Sequence, residues 1–293
     1  TMALGAAHST ARHDSMRVPV LTYHAANVTG SDYADNDHVA FAADLRLIDD
    51  LGLRIVPLRR VVDSLVGRAD HDLEGCVALS CDDGTDFDYF DLPHPEHGTQ
   101  RSLFNAMLDF RRERGRDAQP DLHLTAFVIA SADARRQLDH ACLAGRGAMS
   151  ERWWRPAQRS GLIAIENHSW DHNHPALETP GADDMPRGSF LAVDNEMRAD
   201  AEIAQASYYL NARLAPHRVS LFCYPFGHVS DYLHDEYLPE RRAEHGIEAA
   251  FSDGAEPIHD ASDRWLLPRY ICGWHWKSPG ELESILRESI GHG

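Results

Sequence analysis

Residues 77–86 read VALSCDDGTD. Five small or apolar residues, Val77 to Cys81, run straight into two adjacent carboxylates, Asp82 and Asp83, and then Gly84. An apolar run of this length, without alternation, predicts a strand buried on both faces, as in parallel sheets. Parallel sheets, open or closed into barrels, carry their chemistry at the C-terminal ends of the strands. The Asp doublet stands at such an end. Alone, an Asp-Asp-Gly triplet is a common surface turn, with Asp accepting backbone hydrogen bonds and Gly supplying positive φ. The strand ahead of it shifts the reading toward a site. Two adjacent carboxylates repel, so one or both require a cation or a proton. A divalent metal on one would relieve the conflict and leave the other as a general base toward water.

The pattern recurs along the chain. VPVLTY (18–23), Arg54 to Leu58, LTAFVIA (124–130), LIAIEN (162–167), LFCYP (221–225), IEAAF (247–251) and LPRYI (267–271) predict further strands. Phe41, Leu45, Ile48 and Leu51 recur at helical spacing, with Gly52 as C-cap. SLFNAMLDFRRERG (102–115), Asp194 to Leu210 and Pro279 to Ile290 predict more helices. Apolar strands alternating with helices indicate an α/β fold on a parallel sheet. The stretch 88–121 opens with DYFDLPHPEHG, too rich in Pro, His and Gly for regular structure. It reads as an insertion after the catalytic strand, placed to cap the cleft. No repeat or linker divides the chain, so residues 1–293 read as one catalytic domain.

Composition bounds the function. Hydrophobic residues make up 43% of 293, enough for a large core, and the net charge is −18. That charge suits neither nucleic acid nor an anionic membrane surface. No apolar run reaches the roughly 18 residues of a membrane helix. TMALGAAHSTARHDSMR lacks the apolar core of a signal peptide. The five cysteines, 76, 81, 142, 223 and 272, form no CxxC pair and no even framework. A reducing, cytoplasmic setting is the expectation; oligomeric state leaves no signal.

Three further stretches carry chemistry. ENHSWDHNHP (166–175) sets His168 and His172 in an H-x-x-x-H spacing just after an apolar strand. The pair therefore falls on the same rim as the Asp doublet, and one Asp with two His is a common set for a catalytic zinc-type site with open positions. His174, before Pro175, reads as a loop residue. LTYH (21–24) ends another strand in a histidine; a lone one there is more often structural. CYPFGH (223–228) reads either as a Pro-Gly turn or as a loop whose backbone N–H groups line a pocket.

Taken together, VPVLTYH, VALSCDDGTD, NHSWDH and FCYPFG, followed by GIEAAF and LLPRY, resemble the polysaccharide deacetylase family (carbohydrate esterase family 4, the NodB homology domain). The resemblance spans about residues 18 to 290. It implies a deformed (β/α)7-type barrel, NodB-like, and metal-dependent hydrolysis of acetyl groups on an acetylated carbohydrate, with zinc as the expected ion. It assigns Asp82 as general base, Asp83, His168 and His172 as metal ligands, and the Phe226 backbone N–H as an oxyanion donor. A histidine at the N-terminal end resembles the circularly permuted branch, typified by poly-N-acetylglucosamine deacetylases, and makes His24 the general acid, with His275 its rival. The family's Arg before Pro-aromatic-Gly is replaced here by Cys223; Arg269 in LLPRY is the candidate substitute for orienting Asp82. Trp153, Trp154, Trp274 and Trp276 are either sugar platforms or packing residues. Rival readings are an amidase for small cyclic amides or ureides in the same fold and a carbohydrate-binding module with a dead site.

Overall fold

The computed structural model of the protein describes residues 16–291; most of the stretch read for a signal sequence lies outside them. Eight strands make the main sheet: β1 (Val20–Tyr23), β2 (Arg54–Ile55), β3 (Cys76–Cys81), β4 (Leu124–Val128), β5 (Ile163–Asn167), β6 (Leu221–Cys223), β7 (Ala249–Phe251) and β8 (Tyr270–Ile271). Their order is β7-β6-β5-β4-β3-β1-β8, with β2 pairing on β3. Every pairing is parallel. A bridge joins Phe251 in β7 to Leu267, just ahead of β8. Ser252 N–H donates to Leu267 O and Leu267 N–H to Ala250 O, both at 2.8 Å. The sheet thus curls until residues 267–271 touch both of its edges, giving the deformed NodB-like barrel.

Side chains alternate across the strands, as a period of two requires. Val20, Cys76, Ala78, Phe127, Leu221, Cys223, Ala249 and Phe251 pack together in one core. Leu21, Tyr23, Val77, Leu79, Cys81, Ala126, Val128 and Ile165 belong to the other, shared with the helices. Parallel neighbours need crossover connections, and helices supply them. Asp37–Asp50 is capped by the Asn36 side chain, which accepts from His38 N and Val39 N. It buries Phe41, Leu45 and Ile48, as the spacing predicts.

Several expectations shift. The strand expected over Arg54 to Leu58 ends at Ile55, because Pro57 (φ −57°) redirects the chain and Leu58 opens a helix, Leu58–Leu65. Within 88–121, Leu103–Arg114 is the crossover helix from β3 to β4, capped by Ser102 and burying Leu103, Ala106, Met107 and Phe110. The Pro- and His-rich opening is regular after all: Leu92–His94 and Gly98–Gln100 form an antiparallel hairpin. A helix absent from the sequence reading, Ala132–Cys142, follows β4.

Candidate active site

All strands of the barrel end at one mouth. Along β3, Ala78 faces the inner core and Ser80 Oγ meets Thr22 Oγ1 of β1 at 2.8 Å, so Asp82 is next on the inward row. Asp83 then adopts φ +72°, which swings it toward the cleft, and Gly84 follows at φ +74°. A Cβ on Gly84 would lie 2.6 Å from a Val128 methyl, so both its conformation and its packing require glycine.

Asp82 is buried (4% exposed) and gripped on both oxygens by Arg269 from the closing segment, Nη1 to Oδ1 and Nη2 to Oδ2, each 2.8 Å. Arg269 also donates to Ser252 O (3.0 Å), Ser80 Oγ (3.3 Å) and Cys223 Sγ (2.9 Å). Burial pushes the Asp82 carboxyl up, but the adjacent guanidinium prevails and holds it down to about 2. Arg269 thus stands against Asp82, and Cys223 lies in contact with both.

Asp83 meets the two histidines of the β5 loop. Its Oδ1 is 3.6 Å from His168 Nε2 and 3.7 Å from His172 Nε2. These separations are long for hydrogen bonds. They match two ligands about 2.1 Å from one tetrahedral ion, which sit roughly 3.4 Å apart. His168 Nδ1 is 2.9 Å from Cys223 O, a contact suited to Nδ1–H donation that frees Nε2 as a ligand. Burial, then the neighbouring His168, pushes His172 down to about 3, leaving a neutral imidazole with a lone pair. Burial also pulls His168 down, but Cys223 and Asp83 hold it well above the usual imidazole range, so a cation at its Nε2 would displace a proton. The donor set therefore fits a divalent cation. Asp82, His168 and Cys223 also cluster within 4.8 Å. There, however, burial raises the Cys223 thiol, which stays protonated, and the Arg269 guanidinium already occupies Asp82 and the sulfur.

His24, at the end of β1, brings Nε2 to 3.8 Å from Asp82 Oδ2, and its backbone N–H donates to Asp37 Oδ2 at 2.7 Å. Pro225 and Phe226 (φ 60°, ψ 8°) make a type II-like turn after β6, closed by Gly227 N–H to Tyr224 O. The Phe226 ring stands edge-on to His172, 4.4 Å between centroids. Gly227 is required there as well, since a Cβ would strike the Asp253 carboxylate at 2.6 Å.

These groups share a cleft of about 380 Å³, walled also by Ile129, Leu138, Leu143 and Met149. His275 is not among its walls; its Nδ1 accepts from Ile271 N and its ring stacks on Trp274. Trp153, Trp154 and Trp276 are buried packing residues, while Trp274, 66% exposed, lines the cleft. His174 lines it too, with Nδ1 accepting from Ala176 N. The 92–100 hairpin does not cap this cleft. Leu92 to Pro95 wall an adjoining cavity of about 330 Å³ that shares Ala26, Cys142 and Leu143 with it. The sequence reading missed Asp37, Asp253 and the apolar wall; only the wall left a trace, the amphipathic ADARRQLDHAC.

A family model described as polysaccharide deacetylase matches residues 72–248, more than half of the chain. The chain belongs to the polysaccharide deacetylase family. Membership carries with it the hydrolytic removal of acetyl groups from sugar polymers. Among solved structures, this deacetylase is similar to IcaB from Ammonifex degensii, at 18% identity over 94% of this chain and 98% of that one, TM-score 0.61. It is similar also to the Streptococcus pyogenes deacetylase PplD in complex with acetate (16%; 93% and 99%; 0.58) and to a de-N-acetylase from Aggregatibacter actinomycetemcomitans (16%; 92% and 99%; 0.59). At these identities the likeness is one of fold. No curated protein matches the chain. The family match contains Asp82, Asp83, His168, His172 and Phe226, but neither His24 nor Arg269. His24 arrives at the end of β1, which pairs with β3, and Arg269 arrives on the closing segment.

Proposed function

We propose that this deacetylase is a metal-dependent N-deacetylase of an acetylated carbohydrate, with Asp83, His168 and His172 as the ligands of a divalent cation. One carboxylate and two imidazoles with open positions suit zinc. Such a cation, when bound, polarises the acetyl carbonyl and acidifies water.

The remaining chemistry falls to the chain's own groups. Asp82, kept ionised and oriented by Arg269, accepts the proton of the attacking water. The Phe226 backbone N–H donates to the oxygen that gains charge, a contribution of about 3 kcal/mol for a preorganised donor. His24, beside Asp82 at the end of the neighbouring strand, delivers a proton to the leaving nitrogen. An amine cannot depart as an anion, so a proton donor facing the base favours the amide over the ester as substrate. Trp274 offers an exposed ring for a sugar face.

The observation that carries this reading is the convergence of Asp83 with His168 and His172 at 3.6–3.7 Å, beside a base already held by Arg269. The test is acetate release from N-acetyl chito-oligosaccharides by protein stripped with chelator and then reloaded with zinc. Reloading should restore turnover in the wild type and not in His168→Ala. Equal turnover by stripped and reloaded protein would defeat the proposal.

A further inference from the structure

The loop that carries both histidines is held from below by a distorted helix. Residues 196–214 form one helical stretch, and Asp200–Ala204 within it is a π turn. A π turn widens the helix and frees backbone carbonyls for outside partners, and such turns gather at functional sites. Here two carbonyls in the turn take donors from the histidine loop. Glu202 O accepts Trp170 N–H at 2.7 Å, and Ile203 O accepts Asn167 Nδ2 at 3.1 Å.

The side chain of Glu202, only 2% exposed, reaches the same loop: its Oε2 accepts Asp171 N–H at 3.3 Å. Asn167 ties the other end, donating also to Ser207 Oγ (2.9 Å) while its Oδ1 accepts Ser169 N–H (2.7 Å). Arg187 reaches both oxygens of Asp171 at 2.8 Å from the far side. Between these ties the backbone turns through φ +70° at Ser169, +65° at His172 and +44° at Asn173. Non-glycine residues hold such angles only where surroundings over-determine them. Relaxing the ties would let the loop move toward ordinary angles and spread the two imidazoles.

We infer that the π turn, acting through Glu202 with Asn167 as its second tie, is a positioning element that fixes the spacing of His168 and His172. The inference rests on the metal-site reading above and extends it to residues that touch no substrate. Neither tie touches an imidazole, so each acts through the loop backbone. A partner bonded to a ligand itself is commonly worth ~10-fold or more in metal affinity, and that scale is taken for these ties.

The test uses the full chain and Zn²⁺ alone, titrated by calorimetry, with the visible absorption of bound Co²⁺ as a second readout of ligand geometry. Glu202→Ala should weaken Zn²⁺ binding ~10-fold or more and alter the Co²⁺ bands. Glu202→Gln, which keeps a carbonyl acceptor for Asp171 N–H, should restore both. Asn167→Ala, which leaves Glu202 in place, should also weaken Zn²⁺ binding and carries the test if Glu202→Ala fails to fold. A lowered melting temperature with unchanged Zn²⁺ affinity in these variants would overturn the inference and leave the metal site standing. Failure of the wild type to bind Zn²⁺ would sink both.

Discussion

The two ends of the barrel handle charge in different ways. Where the strands begin, charges are paired at hydrogen-bond distance. Glu166, late in β5, reaches the start of β6, where its Oε2 accepts Ser220 N–H (2.7 Å) and Leu221 N–H (2.9 Å) and its Oε1 lies 3.5 Å from His217. Arg68 meets Asp63 at 2.7 Å and Glu248 at 2.6 Å. Where the strands end, Asp83 stands 3.6 and 3.7 Å from its imidazoles and His24 stands 3.8 Å from Asp82. Non-glycine residues with positive φ gather there too: Asp83, Ser169, His172, Asn173 and Phe226. Groups that serve the fold contact each other, whereas the groups proposed for chemistry leave room for a third body. Arg269 and Asp82 are the instructive exception, a fully contacted pair at the reactive end.

That contrast breaks if substitutions at the two ends behave alike. The largest effect is expected from Asp82→Asn, which should lower turnover about 10³-fold, within the range for losing a positioned acid or base. Zinc content, measured by elemental analysis, should stay at the wild-type level, because Asp82 is not among the proposed ligands. Next comes Arg269→Met. It strands a buried carboxylate, so denaturant unfolding should show a loss of about 3–5 kcal/mol, with turnover falling alongside it. At the other end, Glu166→Ala leaves two backbone N–H groups without their acceptor. Here about 2 kcal/mol of stability should go, while turnover stays within twofold of wild type.

The smallest effect sharpens the contrast through pH. His245, at the end where strands begin, is 1% exposed, and burial holds it down to about 4. An unfolded histidine takes its proton near pH 6.5. The stability this residue contributes is therefore present above pH 6.5 and lost as pH falls from 6.5 to about 4. His245→Asn, whose carbonyl can still accept Ile247 N–H, should remove about 1–3 kcal/mol of that pH dependence. A parallel pair of unfolding curves measured at pH 7 and pH 5 would count against this assignment.

The reactive end was more legible in sequence than its supports. Strands buried on both faces leave apolar runs, and a polar residue ending such a run stands out, which is how Asp82, Asp83, His168 and His24 emerge. Arg269 was harder: only barrel closure brings it beneath Asp82, and nothing local in LLPRY announces that. The hairpin 92–100 was hidden because Pro93 and Gly98 stand inside its strands, where local preference opposes them. Ala132–Cys142 was hidden because Leu138 is its one large apolar residue and it buries Arg135 and Asp139 beside Ala134, so no run of large apolar residues marks its face. The π turn left no trace, since an added helical residue changes no composition.

Arg269 comes late in synthesis. A ribosome that has released the first 250 residues has already made every proposed ligand and the base, yet has not delivered the guanidinium that holds the base in register. The nascent chain holds every proposed ligand early, whereas the partner of Asp82 comes only with the last strand.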